Sequence, residues 1–255
     1  MISNAQSKLV RSLHQKKYRQ EEGLFIAEGE KVVNDLIASG WKVKFLFGTD
    51  EYLAKNKEHL ASLKDAVVVE AGEKELEKIS ALTTAPPVLA VAYIPNDVTP
   101  INYDAGLKLV LDEIKDPGNL GALLRIADWF GITEVICSEN CVDAFNPKVV
   151  QGAKGSLFHL DVHFVNLEDV FRKNASAKKL PVYGTLLEGE NIFEAKLSAD
   201  GFIVMGNESI GISAGVKPFI THALRIPDFS KGVNGKPESL NVSVAAGIVC
   251  ALFKK

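Results

Sequence analysis

Three short runs of the sequence hold polar side chains that could do chemistry, each beside glycine or proline. The first is Asp116-Pro117-Gly118-Asn119-Leu120-Gly121, and Arg125 follows six residues after Asn119. Glycine at a strand-to-helix turn lets a ligand approach the backbone closely, and the free N–H groups of a helix start favour phosphate. A capped turn before a core helix explains the run equally well, because one Gly-x-x-Gly is not a dinucleotide fingerprint. By itself the run leaves both interpretations open.

The second run places a carboxylate between two glycines. Gly206-Asn207-Glu208 follows the apolar segment 202–205, and Gly211 comes three residues later. The Glu208 carboxylate could bind a cation, a ribose hydroxyl or an ammonium group. It could equally cap a helix at a glycine-flanked turn.

The third run has two parts, Ile226-Pro227 and Ser239-Leu240-Asn241, and an apolar stretch with small residues follows it to position 253. We expect a closing helix over residues 239–253, with Glu238 or Ser239 as its N-cap. An amide inside so apolar a helix must find partners or cost about 1–3 kcal/mol. The position of Asn241 is therefore a modest indication of function.

Hydrophobic patterning predicts the elements that must hold these runs. Strands are expected at 107–111, 134–137, 160–165, 181–187 and 202–205, and helices at 119–130, 149–154 and 167–175. Strands that alternate with helices indicate a parallel sheet with helices on both faces. Ligands of such sheets bind beyond the carboxyl ends of the strands, which is where the three runs lie.

The N-terminal part predicts a separate, small α/β domain. Helices are expected at 7–18 and 28–39, and short strands at 43–47 and 66–69. Two prolines flank Asn96-Asp97 after the apolar run 88–94, and we interpret the stretch from Pro95 to Pro100 as a connector. The predicted organisation is a domain at 1–95, a linker at 96–106 and a second domain at 107–255.

Composition excludes several classes of protein. The 255 residues include 29 Lys plus Arg and 32 Asp plus Glu, so the net charge of −3 excludes a polybasic binder. Three cysteines are too few for a disulfide framework and indicate a reducing compartment. The N-terminus lacks the apolar region of a signal peptide, and the longest nearly apolar stretch is too short to span a membrane. We therefore expect a cytoplasmic protein with no membrane partner.

Two spacings suggest a metal, and we reject both. In a strand, His159 and His163 would share a face, and Cys137 and Cys141 have the same spacing. No further pair of ligands stands at zinc-like spacing, so we expect no metal. The cysteines are interpreted as small core residues.

Taken together, the three runs resemble the three motifs of the SpoU (TrmH-like) branch of the SPOUT RNA methyltransferases. The resemblance implies transfer of a methyl group from S-adenosylmethionine to a ribose 2′-hydroxyl in ribosomal or transfer RNA, of which we expect ribosomal RNA. It implies an α/β fold with a mostly parallel sheet and a deep trefoil knot, which is rare among proteins, and a homodimer with its site near the interface. The first part, with Lys16-Lys17-Tyr18-Arg19 and Phe25-Ile26-Ala27-Glu28-Gly29, is similar to the small α/β (L30e-like) RNA-binding domain of many members.

The resemblance also assigns residues. It places catalysis at Asn119, Arg125, Glu208, Ser239 and Asn241, and cofactor binding at Thr185, Gly206, Ile226 and Leu240. Two departures stand out: a polar stretch at 229–236 after Asp228, and Ile126 where many members have threonine. For RNA contact we select the basic run Lys8, Arg11, Lys16, Lys17 and Arg19, although such a run is more often a solvated helix face.

The family often assigns the base to the arginine that Arg125 matches. An arginine stays protonated under nearly all conditions, which makes that role costly. Our hypothesis is that Arg125 grips the phosphate beside the target ribose through two hydrogen bonds, and that this phosphate or a water takes the proton.

Three alternatives remain. A tRNA could be the substrate, or the chain could be a catalytically silent RNA-binding protein on the same fold. A nucleotide-dependent oxidoreductase is disfavoured, because it would need a complete Gly-x-Gly-x-x-Gly turn and an acidic residue about 20 positions further on.

Overall fold

The computed structural model describes residues 1–96, 99–230 and 239–255. Within these ranges, residues 1–96 and 143–159 form one compact unit, and the remaining residues form a second. A single cut in the sequence does not separate the two units, because residues 143–159 pack with the N-terminal residues. The domain boundaries drawn from the sequence stay a prediction. None of the helices in the described ranges is long and apolar enough to cross a membrane.

Strands and helices alternate along most of the chain. The strands are β1 Leu24–Glu28, β2 Val43–Gly48, β3 Val67–Glu70, β4 Val88–Tyr93, β5 Leu107–Leu111, β6 Glu134–Ser138, β7 Asp161–Val165, β8 Val182–Asn191, β9 Gly201–Met205 and β10 His222–Arg225. The α-helices are α1 Asn4–Ser12, α2 Lys16–Glu22, α3 Glu30–Ala38, α4 Asp50–Lys55, α5 Lys57–Leu60, α6 Glu73–Glu77, α7 Pro117–Trp129, α8 Pro147–Ala153, α9 Leu167–Ser176 and α10 Val242–Phe253.

The first unit contains a mixed sheet in the order β1-β4-β2-β3. β4 is antiparallel to both of its neighbours, and the edge strand β3 is parallel to β2. The apolar run 88–94, for which no element was predicted from the sequence, is therefore an inner strand. The prolines flank this run without interrupting it, and five of the six residues of β4 are buried, as expected for an inner strand.

The predicted basic helix at 7–18 is two helices, α1 and α2. The chain turns at residues 13–15, where Leu13 is fully buried in the core of the unit. The burial of Leu13 at this turn depends on contacts with other parts of the unit. The sequence pattern of residues 7–18 is typical of one continuous helix and therefore did not indicate the turn.

Residues 143–159, which include α8, pack on the first unit through aromatic rings. The Phe145 ring centroid lies 5.1 Å from that of Phe25, and the Phe158 centroid lies 5.3 Å from that of Trp41. Such aromatic pairs stabilise a packing beyond the apolar area that they bury.

In the second unit the described residues form a six-stranded sheet in the order β10-β8-β9-β5-β6-β7. Every pair of neighbours is parallel, which confirms the predicted parallel α/β sheet. β5 and β9 are buried along their whole length, as nearly continuous apolar strands of a parallel sheet should be. β10 was not predicted, because it is short and mostly exposed. The trefoil knot stays a prediction.

Candidate active site

A cavity of about 900 Å³ lies at the carboxyl ends of the strands in the second unit. Its walls come from four stretches of chain, 185–188, 205–212, 224–230 and 239–245, together with Lys217. A volume of this order is typical of small-molecule sites. The cavity lies where the topology of a parallel sheet predicts a ligand.

The turn after β9 forms one wall and depends on glycine. A Cβ on Gly206 would lie 2.4 Å from the backbone of Gly211, and Gly211 itself has φ of +68°. Asn207 and Gly211 exchange backbone hydrogen bonds of 3.1 and 2.9 Å across this turn. Behind it, the buried Asp112 carboxylate accepts a 2.7 Å hydrogen bond from the Ser213 N–H. The turn is therefore rigidly attached to the end of β5.

Large apolar side chains stand exposed around the cavity. Leu187, Ile210, Phe229 and Leu240 line it and are 76%, 61%, 81% and 47% exposed. A cluster of exposed apolar groups at a concave surface marks a binding site. Leu187, Ile210 and Phe229 were missed from the sequence, where the only signal was single apolar residues in loops that follow strands.

Three predicted catalytic residues form one hydrogen-bonded chain. The Asn241 Oδ1 atom accepts from the Ser243 N–H (3.0 Å) and the Val244 N–H (3.4 Å) at the start of α10. This leaves the Asn241 Nδ2 atom to donate to Asn119 Oδ1 at 2.9 Å, and Asn119 Nδ2 donates to the Glu208 carboxylate. The cap on α10 thus determines which amide atom donates and which accepts in each hydrogen bond from Asn241 to Glu208.

Two expectations about the last helix are wrong. α10 begins at Val242, so Asn241 is its N-cap, and neither Ser239 nor an interior asparagine fits the structure. Asparagine is among the best N-cap residues, which explains the position of the helix start. The other cap candidate, Glu238, lies outside the described residues, as does most of the polar stretch 229–236.

Six predicted site residues line the cavity, namely Thr185, Gly206, Glu208, Ile226, Ser239 and Leu240. The Thr185 hydroxyl donates a 3.0 Å hydrogen bond to the Val204 carbonyl, which fixes it to the neighbouring strand. Arg125 is not part of the wall. It lies exposed on α7.

Four of the five predicted RNA-binding cations, Lys8, Arg11, Lys16 and Lys17, are exposed on α1 and α2. Arg19 is 2% exposed. Its guanidinium donates to the Asp143 carboxylate at 2.6 and 2.9 Å and to the Leu13 carbonyl at 2.8 Å. The prediction that Arg19 contacts RNA is wrong, because its charge is buried and already paired.

The cysteines and histidines form no metal centre among the residues that the structure describes. Cys137, Cys141 and Cys250 are buried and free, as predicted for core residues. A hydrogen bond with Cys137 is the main cause that lowers the pKa of Cys141, to about 7. Burial lowers the pKa of His163. The absence of a metal stays a prediction.

The fold and the cavity define an α/β enzyme domain with a site for a ligand of nucleoside size. The family model described as SpoU rRNA Methylase matches residues 106–251, and that of the MRM3-like substrate binding domain matches residues 4–90. The chain belongs to the SpoU rRNA methylase family, which confirms the family predicted from the three runs.

Several relatives are similar over nearly the whole chain. The 23S rRNA (guanosine(2553)-2′-O)-methyltransferase RlmP of Bacillus subtilis is 30% identical, over 94% of this chain and 92% of that protein. A solved structure from Porphyromonas gingivalis, assigned to the TrmH family of RNA methyltransferases, is 36% identical with a TM-score of 0.88 and covers 99% of this chain and 98% of that one. An AdoMet-bound rRNA methyltransferase from Sinorhizobium meliloti is 27% identical with a TM-score of 0.85 and covers 100% and 95%.

Proposed function

We propose that this protein transfers a methyl group from S-adenosylmethionine to a ribose 2′-hydroxyl of ribosomal RNA. The observation that carries the proposal is the series of hydrogen bonds from Asn241 through Asn119 to Glu208, which lines a cavity of about 900 Å³. Ribosomal RNA is favoured over tRNA because the Bacillus subtilis relative is named for 23S rRNA.

The cavity fits the chemistry of S-adenosylmethionine. The exposed apolar side chains would cover the adenine ring, and Thr185 with the backbone at Gly206, Ile226 and Leu240 would hold the adenosine part. Carboxylates and cations both line the cavity, as a ligand with an ammonium and a carboxylate group requires: Glu188, Glu208, Asp228, Lys217 and Arg225. When bound, this cofactor supplies a methyl group already activated by the positive sulfur.

The protein must then orient and deprotonate the ribose hydroxyl. Glu208 and Asn119 are held in a fixed direction by the cap on α10, so they can present hydrogen-bonding atoms to the ribose without reorganisation. Arg125 would bind the phosphate next to the target ribose through two hydrogen bonds and make the ribose 2′-hydroxyl more acidic. The phosphate or a water would take the proton.

This role of Arg125 requires a second copy of the chain. Arg125 lies outside the wall of its own cavity, on an exposed face of α7 with Trp129 one turn further on. Trp129 is 85% exposed, and Val244 on the neighbouring α10 is 53% exposed. A homodimer that covers these apolar side chains would bring Arg125 toward the site of the partner. The compartment, expected to be the cytoplasm, stays a prediction.

The test is methyl transfer to ribosomal RNA isolated from a strain in which the gene is deleted. We expect the protein to transfer tritiated methyl groups from S-adenosylmethionine and to leave a ribose linkage resistant to alkaline hydrolysis. Arg125→Lys should keep cofactor binding by calorimetry but lose about 10²-fold or more in transfer, since lysine cannot make the two-pronged phosphate contact.

Other results would favour the alternatives. Cofactor binding without transfer to any cellular RNA would indicate a silent RNA-binding protein, and transfer confined to tRNA would change the substrate. Absence of cofactor binding would end the proposal. Retained transfer in Arg125→Lys would contradict the two-pronged contact alone.

A further inference from the structure

Glu113, two residues after β5, has a left-handed backbone with φ of +57°. For a residue with a Cβ this conformation costs about 1–2 kcal/mol. It persists only where surrounding contacts hold it, and such residues cluster at functional sites. Among the described residues that are not glycine, Lys154 and Lys179 also have positive φ, and Glu113 differs from them in its hydrogen bond with Asn207, which lines the cavity.

The backbone of Glu113 joins the ends of three strands. Its N–H donates a 2.9 Å hydrogen bond to the Ser138 hydroxyl at the end of β6. Its carbonyl accepts a 2.9 Å hydrogen bond from Asn207 Nδ2 in the turn after β9. Since Glu113 itself follows β5, a change in its backbone conformation would break the hydrogen bonds with Ser138 and Asn207 at once.

The contact with Asn207 reaches the candidate catalytic carboxylate. Because Asn207 Nδ2 donates to Glu113, its Oδ1 atom is left to accept from the N–H groups of Ser209 (2.9 Å) and Ile210 (3.3 Å). These two bonds shape the backbone on both sides of Glu208, whose carboxylate accepts from Asn119. The carbonyl of Glu113 thus determines how the turn presents Glu208.

The side chain of Glu113 secures this arrangement. Its carboxylate accepts a 3.1 Å hydrogen bond from Asn140 Nδ2 and lies 3.8 Å from Lys115 Nζ. Lys115 Nζ also donates to the Asn140 carbonyl at 2.6 Å. These contacts tie Glu113 to the loop after β6 and oppose a flip of its carbonyl.

We propose that Glu113 is a positioning residue for methyl transfer: its clamp on Asn140 maintains the left-handed backbone that holds Asn207, and through it Glu208 and Asn119, in the geometry of the reaction. The proposal rests on the proposed function for its activity readout. It concerns a residue outside the predicted catalytic set, and its structural half can be measured without any substrate.

The experiment compares Glu113→Ala, which removes the clamp but keeps the Cβ, with Glu113→Gln, whose side-chain carbonyl can still accept from Asn140. In Glu113→Ala we expect kcat for transfer to deletion-strain ribosomal RNA to fall about 10- to 100-fold, with the cofactor Kd within about threefold. Glu113→Gln should stay within about threefold of the unmodified chain in kcat. Lys179→Ala, at an exposed positive-φ position away from the cavity, is the matched control and should be unchanged.

Hydrogen exchange at the backbone amides of Ser209 and Ile210 measures directly whether the turn after β9 keeps its hydrogen bonds. Exchange should be about tenfold faster in Glu113→Ala and unchanged in Glu113→Gln and Lys179→Ala. Unchanged exchange in Glu113→Ala overturns the proposal, as does an equal loss of kcat in Glu113→Ala and Glu113→Gln. A Kd that weakens as much as kcat falls also overturns it, because that pattern marks general damage to the cavity. If the unmodified chain transfers no methyl group, the proposed function fails, and the exchange rates still decide whether Glu113 holds the turn.

Discussion

Lys17 and Arg19 stand two positions apart on α2 and have opposite environments. Lys17 is exposed and lies 3.8 Å from Glu21 on the same helix, an arrangement worth little in water. Arg19 is buried against Asp143, and its guanidinium uses several donors at once. The two cations therefore have different environments: Lys17 is accessible from solvent, as its proposed contact with RNA requires, and Arg19 holds 143–159 to the rest of the first unit.

Variants should separate these roles. Replacing Lys8, Arg11, Lys16 and Lys17 together with alanine should weaken RNA binding and lower the salt dependence of the affinity, because up to four phosphate contacts are lost, each worth a slope of about 0.7–0.9. The unfolding temperature should hardly change. Binding to deletion-strain ribosomal RNA across a range of KCl concentrations measures the slope.

Arg19→Met should act on stability instead. It leaves the Asp143 carboxylate without its partner, and breaking a buried pair costs about 3 kcal/mol or more. We expect a clearly lower free energy of unfolding in urea, with the RNA salt slope retained. An RNA affinity lost at unchanged stability would show that Arg19 is an RNA contact after all.

At the scale of elements, the start of α10 stabilises the helix and also orients a residue of the proposed catalytic set. Asn241 uses its oxygen to cap the helix and its amide nitrogen to orient Asn119. One side chain can do both only because an amide has an acceptor at one branch and donors at the other.

Two substitutions of Asn241 should therefore differ. Asn241→Asp keeps an acceptor for the helix N–H groups but loses the donor to Asn119, so stability should hold while methyl transfer falls about tenfold or more. Asn241→Ala loses both functions and should also lose about 1 kcal/mol of stability. Thermal unfolding and single-turnover transfer measure the two effects. Equal transfer by Asn241→Asp and the unmodified chain would refute the orienting role.

At the scale of the whole molecule, the second unit has a face that one chain leaves uncovered. Trp129 and Val244 are apolar and largely exposed on the packed helices α7 and α10. Leaving a large aromatic ring in water gives up roughly 25 cal/mol per Å² of apolar surface. A second copy is the partner that the proposed mechanism requires at this face.

The dimer is tested by Trp129→Glu. A charge buried in an apolar interface must be desolvated, so we expect a monomer in sedimentation and loss of methyl transfer, with the monomer still folded. Phe193→Glu is the control, because Phe193 is likewise an exposed aromatic residue but lies in the turn after β8. A dimer that survives Trp129→Glu would place the interface elsewhere.

Much of the second unit was predictable because its signals are local. β5 and β9 are apolar runs bounded by turns, and the three motif runs follow strands, so the parallel sheet and the family were evident from the sequence. Six of the nine proposed catalytic and cofactor-binding residues do line one cavity, since the ends of parallel strands meet at one edge.

The sequence by itself determined the alternation of strands and helices and the residue types available for chemistry, because both follow from patterns within a few residues. Only the tertiary structure decided the burial of Arg19, the inner position of β4, the hydrogen bond from Asn241 to Asn119 and the left-handed backbone of Glu113. Each depends on a partner far along the chain: Arg19 and Asp143 are 124 residues apart, and Asn119 and Asn241 are 122 apart. No local pattern encodes such a contact, because its free energy exists only once the fold has brought the two partners together.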